Sequence, residues 1–221
     1  MDRLIDGVRR FRRDVYKDKR NLFTRLARGQ SPRILFITCS DSRINPHLLT
    51  GSEPGELFVM RNAGNLIPAY GASASGEEGT LEYAVSALKV EHIIVCGHSS
   101  CGAMTGLLRP ETLADVPSVA RWLGHARATL QVVDALFGTR LPLEERLART
   151  IEINALRQLD NLRSHPAVAA ALAACRVSLH AWVYDIRSGA VRSYDEKQRT
   201  FVELNDALHP VGDYLTLIAA G

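Results

Sequence analysis

The chain is poor in cysteine, has no long apolar run and carries no glycine-rich phosphate loop, and each absence narrows what it can do. Four cysteines in 221 residues are too few for a disulfide-stapled scaffold. Residues 1–20 carry charge throughout and show no apolar stretch of the kind that drives secretion. No segment approaches the ~20 apolar residues of a membrane-spanning helix. A cytoplasmic, reducing setting without a membrane partner is therefore expected, and there cysteines point to metal binding or catalysis before disulfides. The glycine-, alanine- and serine-rich stretch from Pro68 to Gly79 holds neither a G-x-G-x-x-G nor a Walker pattern, so a nucleotide site is not supported. Internal repeats, low-complexity segments and domain linkers are also missing.

What is present is an ordinary globular composition, 46% hydrophobic and 23% charged, with a formal net charge of +3. Such a length supports one domain with a full core, read here as residues 1–221 with an N-terminal helical arm over 1–28 and an α/β body over 29–221. Much of the positive excess lies in the arm, at Arg9, Arg10, Arg12, Arg13, Lys17, Lys19, Arg20, Arg25 and Arg28. It reads as the solvated side of an amphipathic helix, and no nucleic-acid partner is expected. Leu4, Ile5, Val8, Phe11 and Val15 recur at helical spacing over residues 2–17. A short second helix is predicted over Leu22–Arg28, stopped by Gly29. With no core of their own, these helices are expected to pack on the body or on a partner subunit.

The body reads as α/β, with a central, mainly parallel sheet of four core strands plus an edge strand, flanked by helices. Ile34–Ile37, Leu57–Met60 and Ile93–Cys96 are unbroken apolar runs, the mark of strands buried on both faces. Val177–Tyr184 gives a fourth strand. Ser188-Gly189 marks a hairpin turn into Ala190–Tyr194, and Thr200–Leu204 suits one more strand at the edge. Thr80–Lys89 predicts a helix leading into the third strand, as in a βαβ crossover. Residues 117–137 and 143–163 predict two longer helices, the second opened by Pro142 and the acidic pair Glu144-Glu145.

Two of these strands end in chemistry. The first runs into Cys39-Ser40-Asp41-Ser42-Arg43, the third into Gly97-His98-Ser99-Ser100-Cys101-Gly102. Ligands in open α/β sheets bind beyond the carboxyl ends of strands. If these two strands are neighbours, Cys39, His98 and Cys101 converge, and two thiolates with an imidazole are good zinc ligands. Three protein ligands leave one position open, the pattern of catalytic zinc. Water there would ionise to hydroxide near neutral pH, though less readily than beside three neutral histidines, because two thiolates cancel the zinc charge. Asp41 then has two partners to choose between. Bound to zinc it blocks the fourth position; held by Arg43 it leaves that position free and can accept the hydrogen of the hydroxide. Cys96, inside an apolar run, and Cys175, after an alanine-rich segment, read as buried small hydrophobes. His47, His92, His125, His165, His180 and His209 lack metal-ligand spacing, and only His47, near Arg43, is placed to relay protons.

Other chemistries of these residue types fit less well. A phosphatase loop needs five residues between cysteine and arginine, and three separate Cys39 from Arg43. A thioredoxin-like C-x-x-C is absent, and His98 is not followed by the glutamate of a zinc deaminase. A zinc or cysteine site without turnover remains as the non-catalytic alternative.

The two motifs together resemble the β-class carbonic anhydrases. So do Gly29–Ile37, Gly55–Leu66 and Leu81–Val85, so that the likeness covers most of residues 22–108 and extends loosely to Leu179–Tyr184. The resemblance implies zinc-dependent, reversible hydration of carbon dioxide to bicarbonate and a proton by metal-bound hydroxide. It implies a four-stranded parallel core and a homodimer, often doubled to a tetramer, whose N-terminal helices extend onto the partner. Asp41 and Arg43 take the catalytic roles, and Gln30, Phe58, Tyr83 and Gly102 the substrate-binding ones. Gln30 would bind substrate through its amide, while Phe58 and Tyr83 would line the pocket near the dimer interface. A branch of the family has a second bicarbonate site built on a tryptophan about three residues before the first cysteine. Phe36 stands there and cannot donate a hydrogen bond, which places the chain nearer the plant-like branch, although Arg61 and Tyr184 resemble other parts of that site. Segments are also similar to cyanobacterial carboxysomal enzymes, without the C-terminal extension those carry. A hydrolase of carbon disulfide or carbonyl sulfide on the same scaffold is the alternative enzyme reading.

Overall fold

The computed structural model describes residues 1–72, 75–138 and 140–204. The chain divides into two compact units, Met1–Ser31 and a second that begins at Pro32. The first is helical: α1 (Asp2–Arg10) passes through a π-helical turn at Phe11–Val15 into α2 (Tyr16–Asp18), and α3 (Arg20–Leu26) follows. The amphipathic helix expected over 2–17 is thus present, with one wide turn inside it. None of these helices buries a residue, and Leu4, Ile5, Val8, Phe11 and Val15 are all exposed. The rings of Phe11 and Tyr16 gather around Phe23, at 5.7 and 5.2 Å between centroids.

The second unit is built on a six-stranded sheet. Its strands are β1 (Ile34–Cys39), β2 (Leu57–Asn62), β3 (His92–His98), β4 (Ser178–Tyr184), β5 (Val191–Asp195) and β6 (Thr200–Glu203), in spatial order β2-β1-β3-β4-β5-β6. The first four are parallel and the last two antiparallel. The two strands expected after the parallel four, the hairpin partner over Ala190–Tyr194 and the edge strand over Thr200–Leu204, are both present. Each antiparallel strand is entered through the same device. Asp185 Oδ1 accepts the backbone N–H groups of Arg187 and Ser188 at 2.7 and 3.1 Å, and Asp195 Oδ1 those of Lys197 and Gln198 at 2.8 and 3.0 Å. An aspartate that binds its own chain two and three residues on is a turn former wherever it stands.

The connecting helices are α4 (Pro46–Thr50), α5 (Gly76–Glu82) with a π-helical continuation at Tyr83–Ala87, α6 (Gly102–Leu108), α7 (Pro117–Leu123), α8 (Arg127–Phe137), α9 (Leu143–Ser164) and α10 (Pro166–Ala173). The helix predicted from Thr80 begins earlier, at Gly76, and the loop before it is shorter in consequence; Ser73 and Ala74 of that loop lie outside the described residues. The single helix predicted over 117–137 is broken by a 3₁₀ turn at Gly124–Ala126. Cys175, expected to be buried, is exposed. It adopts φ 51° just past α10, where it ends the helix by donating its N–H to Leu172, a position that faces solvent. His209 and the segment from residue 205 onward lie outside the described residues.

The pleat sends alternate residues to opposite faces. Leu35, Ile37, Ile93, Val95, Leu179 and Ala181 meet Ala155, Leu159 and Leu162 of α9 and Val168 of α10 in the main core. Phe36, Ile94 and Cys96 form a smaller core on the other face with Ile44, against which Trp182 and Tyr184 pack. The antiparallel edge is tied to α9 by Glu152, a buried carboxylate that accepts from Arg192 at 2.6 Å and Arg149 at 3.1 Å.

His180 is buried on β4, with Nε2 at 3.2 Å from Nδ1 of His92 on β3. Burial, and then the charge of His92, pushes its pKa down to about 4. An unfolded chain takes up a proton there first, near ~6.5. Stability from this site is therefore full above that value and is lost as the pH falls toward the folded pKa of about 4. His180→Phe should flatten the acid side of the stability curve in this window. Urea unfolding at a series of pH values and one protein concentration measures it, and an unchanged slope would assign the loss to another group.

Candidate metal centre

Parallel pairing of β1 with β3 sets Thr38 beside Cys96, so Cys39 follows one step and His98 two steps beyond that pair, at the same end of the sheet. Cys39 closes β1, His98 closes β3, and Cys101 precedes α6. All three are buried, and their ligand atoms lie within 4.8 Å of one another. The three sequence-predicted ligands are thus brought together.

The local chain explains why these atoms point inward. Ser99 donates its N–H to Tyr184 O at 2.8 Å, and its hydroxyl accepts from Ile186 N at 2.9 Å, which fastens the end of β3 to the end of β4. His98 Nδ1 donates to Ser99 O at 2.9 Å. That bond fixes the tautomer and leaves Nε2 with a free lone pair. Nε2 is fully buried and has no hydrogen-bond partner, a costly state for a polar atom unless something else binds it. The sulfurs of Cys39 and Cys101 are 3.9 Å apart. Two thiolates on one tetrahedral zinc at ~2.3 Å each would be separated by about 3.8 Å. The orphaned nitrogen and the sulfur spacing both fit a bound metal ion.

Electrostatics point the same way. The Cys39 thiol is pulled down to about 4, first by the hydrogen bond from Cys101 and further by His98 and the Gly64 N–H, while burial opposes the shift. Cys101 is pushed up, because it keeps the proton that the pair shares and is buried beside the Cys39 charge. A dication in place of the proton that the pair shares would hold both sulfurs as thiolates. Cys96 is the contrast, a thiol pushed up to about 12 by burial.

Asp41 and Arg43 meet in an ion pair. The segment turns, so that Asp41 Oδ1 accepts the Arg43 N–H at 3.0 Å, and the guanidinium adds bonds at 2.9 Å to Oδ1 and 2.7 Å to Oδ2. These bonds hold the Asp41 carboxyl well below the usual carboxylate range. Oδ2 lies 3.8 Å from His98 Nε2, so the carboxylate borders the three ligands while it is bound to Arg43. The same Arg43 Nη2 donates to Ser100 O at 3.1 Å and links the two ligand loops.

Gln30 belongs to the first unit and is exposed. Phe58 pairs with Leu35, four register steps before the Cys39–Asn62 pair, which is roughly 13 Å along a strand. Its ring lies 6.0 Å from that of Tyr83, so these two form an aromatic pair apart from the ligands of their own chain. Gly102 opens α6, where a side chain would meet nothing within 4 Å. His47 bonds Ser52 at 3.1 Å. Two contributions to the ligand loop were not foreseen, one of them from Arg61, which the sequence suggested only as part of a second bicarbonate site. Arg61 reaches from β2 to donate to the carbonyls of Cys39 (3.0 and 2.9 Å), Asp41 (2.7 Å) and Ile44 (3.0 Å), and so pins the first ligand loop. The Gly64 N–H donates to Cys39 Sγ at 3.4 Å. The arginine directly after an apolar strand run was a usable signal; a backbone N–H leaves none in the sequence.

The family model described as carbonic anhydrase matches residues 34–191. The carbonic anhydrase of Pseudomonas aeruginosa is 48% identical over 207 residues, which cover 94% of this chain and 92% of that one. That of Synechocystis is 46% identical over 218 residues, covering 97% and 79%. Among solved structures, the β-carbonic anhydrase CcaA superposes with a TM-score of 0.90 at 47% identity, covering 92% of this chain and 99% of the other. The matched span contains both ligand-bearing strand ends, and the chain belongs to the β-class carbonic anhydrases.

Proposed function

We propose that the chain hydrates carbon dioxide reversibly to bicarbonate, with one zinc ion per chain held by Cys39 Sγ, His98 Nε2 and Cys101 Sγ. The observation that carries this reading is the buried, unpartnered His98 Nε2 facing two sulfurs. Bound zinc supplies a Lewis acid that makes water a nucleophile near neutral pH. The chain's own residues then bind and orient. Arg43 holds Asp41 as an anion beside the ligands, where Oδ2 accepts the O–H of the attacking oxygen and directs its lone pair at carbon. Because Arg43 depresses the Asp41 pKa, this acceptor stays ionised through the neutral range and is lost only as the pH falls through the depressed value. Held by Arg43, it leaves the fourth metal position to the substrates, as in the plant-like branch.

The Gln30 amide is assigned to the substrate oxygen, where bicarbonate charge develops, and Gly102 to the substrate side as the small residue after Cys101. Phe58 and Tyr83 stand too far from the ligands of their own chain, and Tyr83 is 49% exposed. We assign them to the apolar wall of a partner's site in a homodimer, a wall suited to a substrate without charge.

Cys39→Ser, His98→Ala and Cys101→Ser should each lose most of the zinc, measured as metal per chain on the purified protein. Full occupancy in any one would remove that residue from the ligand set. Asp41→Asn should keep zinc and lose at least about 100-fold in hydration rate, because the amide presents a donor where an acceptor is needed. Arg43→Ala should fail by another route: its freed Asp41 carboxylate binds the metal as a fourth ligand. Stopped-flow hydration and a crystal structure of each variant separate the two, and near-wild-type turnover by Asp41→Asn would overturn the role given to that carboxylate.

A further inference from the structure

Helix α9 carries a stripe of polar residues where a core-facing stripe would be expected to be apolar. Thr150, Asn154 and Gln158 follow one another at four-residue spacing, and all three are buried to within 1%. Burying amides is unfavourable unless every donor and acceptor is used, and here they are spent on the loop that follows β2. Asn154 Nδ2 donates to Gly64 O at 3.0 Å. Its Oδ1 accepts from Gln158 Nε2 at 2.9 Å and from the Thr129 hydroxyl of α8 at 3.3 Å, which fixes the orientation of the amide. Gln158 Oε1 in turn accepts Ile67 N at 2.8 Å. Asn161 donates to Ile67 O at 2.7 Å, further along the same loop.

Gly64 is the point of this loop nearest the ligands. It has φ 82°, and a side chain would meet Met104 Cε at 2.9 Å and Ala103 Cβ at 3.2 Å, both on α6, which directly follows Cys101. Its C=O is taken by Asn154, and its N–H is the one that reaches Cys39 Sγ. We infer that Asn154, with its orientation fixed by Gln158 and Thr129, is a positioning residue that holds the Gly64 N–H against the Cys39 thiolate and thereby tunes that ligand's electron donation to the metal. The inference rests on the reading of Cys39 as a metal ligand.

A hydrogen bond donated to a ligating thiolate lowers its basicity and its electron donation to the metal. Less hydrogen bonding to a thiolate also raises its lone-pair energy and moves its charge-transfer band to longer wavelength. The experiment loads cobalt(II) or zinc alone into the full-length protein and into Asn154→Ala, Asn154→Asp and Asn161→Ala. The Asn154 variants should shift the cobalt–thiolate band to the red. Asn161→Ala removes the bonds to Ile67 O and Gln158 Oε1 but leaves the Gln158–Asn154 and Asn154–Gly64 bonds, so it should lower Tm and leave the band in place. In the cadmium-loaded wild-type protein, the Gly64 amide proton should show scalar coupling to the metal through the sulfur, a readout that does not depend on any variant folding. An unshifted band in a folded Asn154 variant, an equal shift in Asn161→Ala, or no coupling at Gly64 would each overturn the inference. A wild-type protein with no thiolate band at all would instead refute the metal reading beneath it.

Discussion

The parallel register of β1 on β3 is the constraint on which everything else rests. Ile34 lies beside His92 and Thr38 beside Cys96, so two strands distant in sequence end at one level. A slip of one residue would turn Cys39 to the other face of the sheet and part it from His98. The register is held by burial on both sides. Leu35 and Ile37 are locked into the core with α9 and α10, while Phe36 is locked into the smaller core on the opposite face. The hydroxyl of Thr38, fully buried between the two cores, donates to Cys96 O at 2.8 Å and adds a side-chain bond to the ladder next to the ligands. The Cys39–His98–Cys101 group, which could hold a metal ion, is the continuation of two strands already fixed by apolar packing.

Beyond the last ladder bonds the chain must be held by other means, and it is held by charge and by side-chain amides. Arg61 closes on three carbonyls of the first ligand loop. Arg43 closes on Asp41 and on Ser100 O of the second. A guanidinium suits this work, since its fork of donors is planar and stays charged whatever its surroundings. Ser100 sits at φ 55°, an unfavourable conformation for a residue with a side chain. Its carbonyl accepts from Arg43 and its neighbour Ser99 is fastened to β4, so the local cost is offset by bonds on both sides.

The parts legible in the sequence were those encoded by residue type and local period. The four parallel strands announced themselves as apolar runs, and the ligands as the residues that interrupt them. The Asp41–Arg43 pair was legible as a pair but not as a turn, because its geometry comes from a backbone N–H bonding a side chain two residues back. The stripe of Thr150, Asn154 and Gln158 was not legible. On a helix with an apolar face elsewhere, three polar residues at helical spacing look like a solvated side, and only the tertiary fold shows that a loop lies over them. The Gly64 N–H could not be found at all from residue identities. Cys175 was misjudged because an alanine-rich neighbourhood suggests burial, whereas a residue that ends a helix in the left-handed region is turned outward.

In the proposed metal site, the placement of Asp41 would keep the site from closing on itself. A carboxylate two residues from a thiolate ligand is within easy reach of the same ion, and carboxylates are good ligands for it. Three bonds from Arg43 answer that pull. They satisfy the carboxylate as an anion, hold it at the edge of the site and leave Oδ2 pointing toward the ligands. The backbone contribution matters most for precision, because the Arg43 N–H cannot move away as a side chain can. Since Arg43 also holds Ser100 O, releasing Asp41 to the metal would loosen the tie between the two ligand loops. The carboxylate's position and the spacing of the ligand loops are therefore set by one guanidinium, and neither can change without disturbing the other.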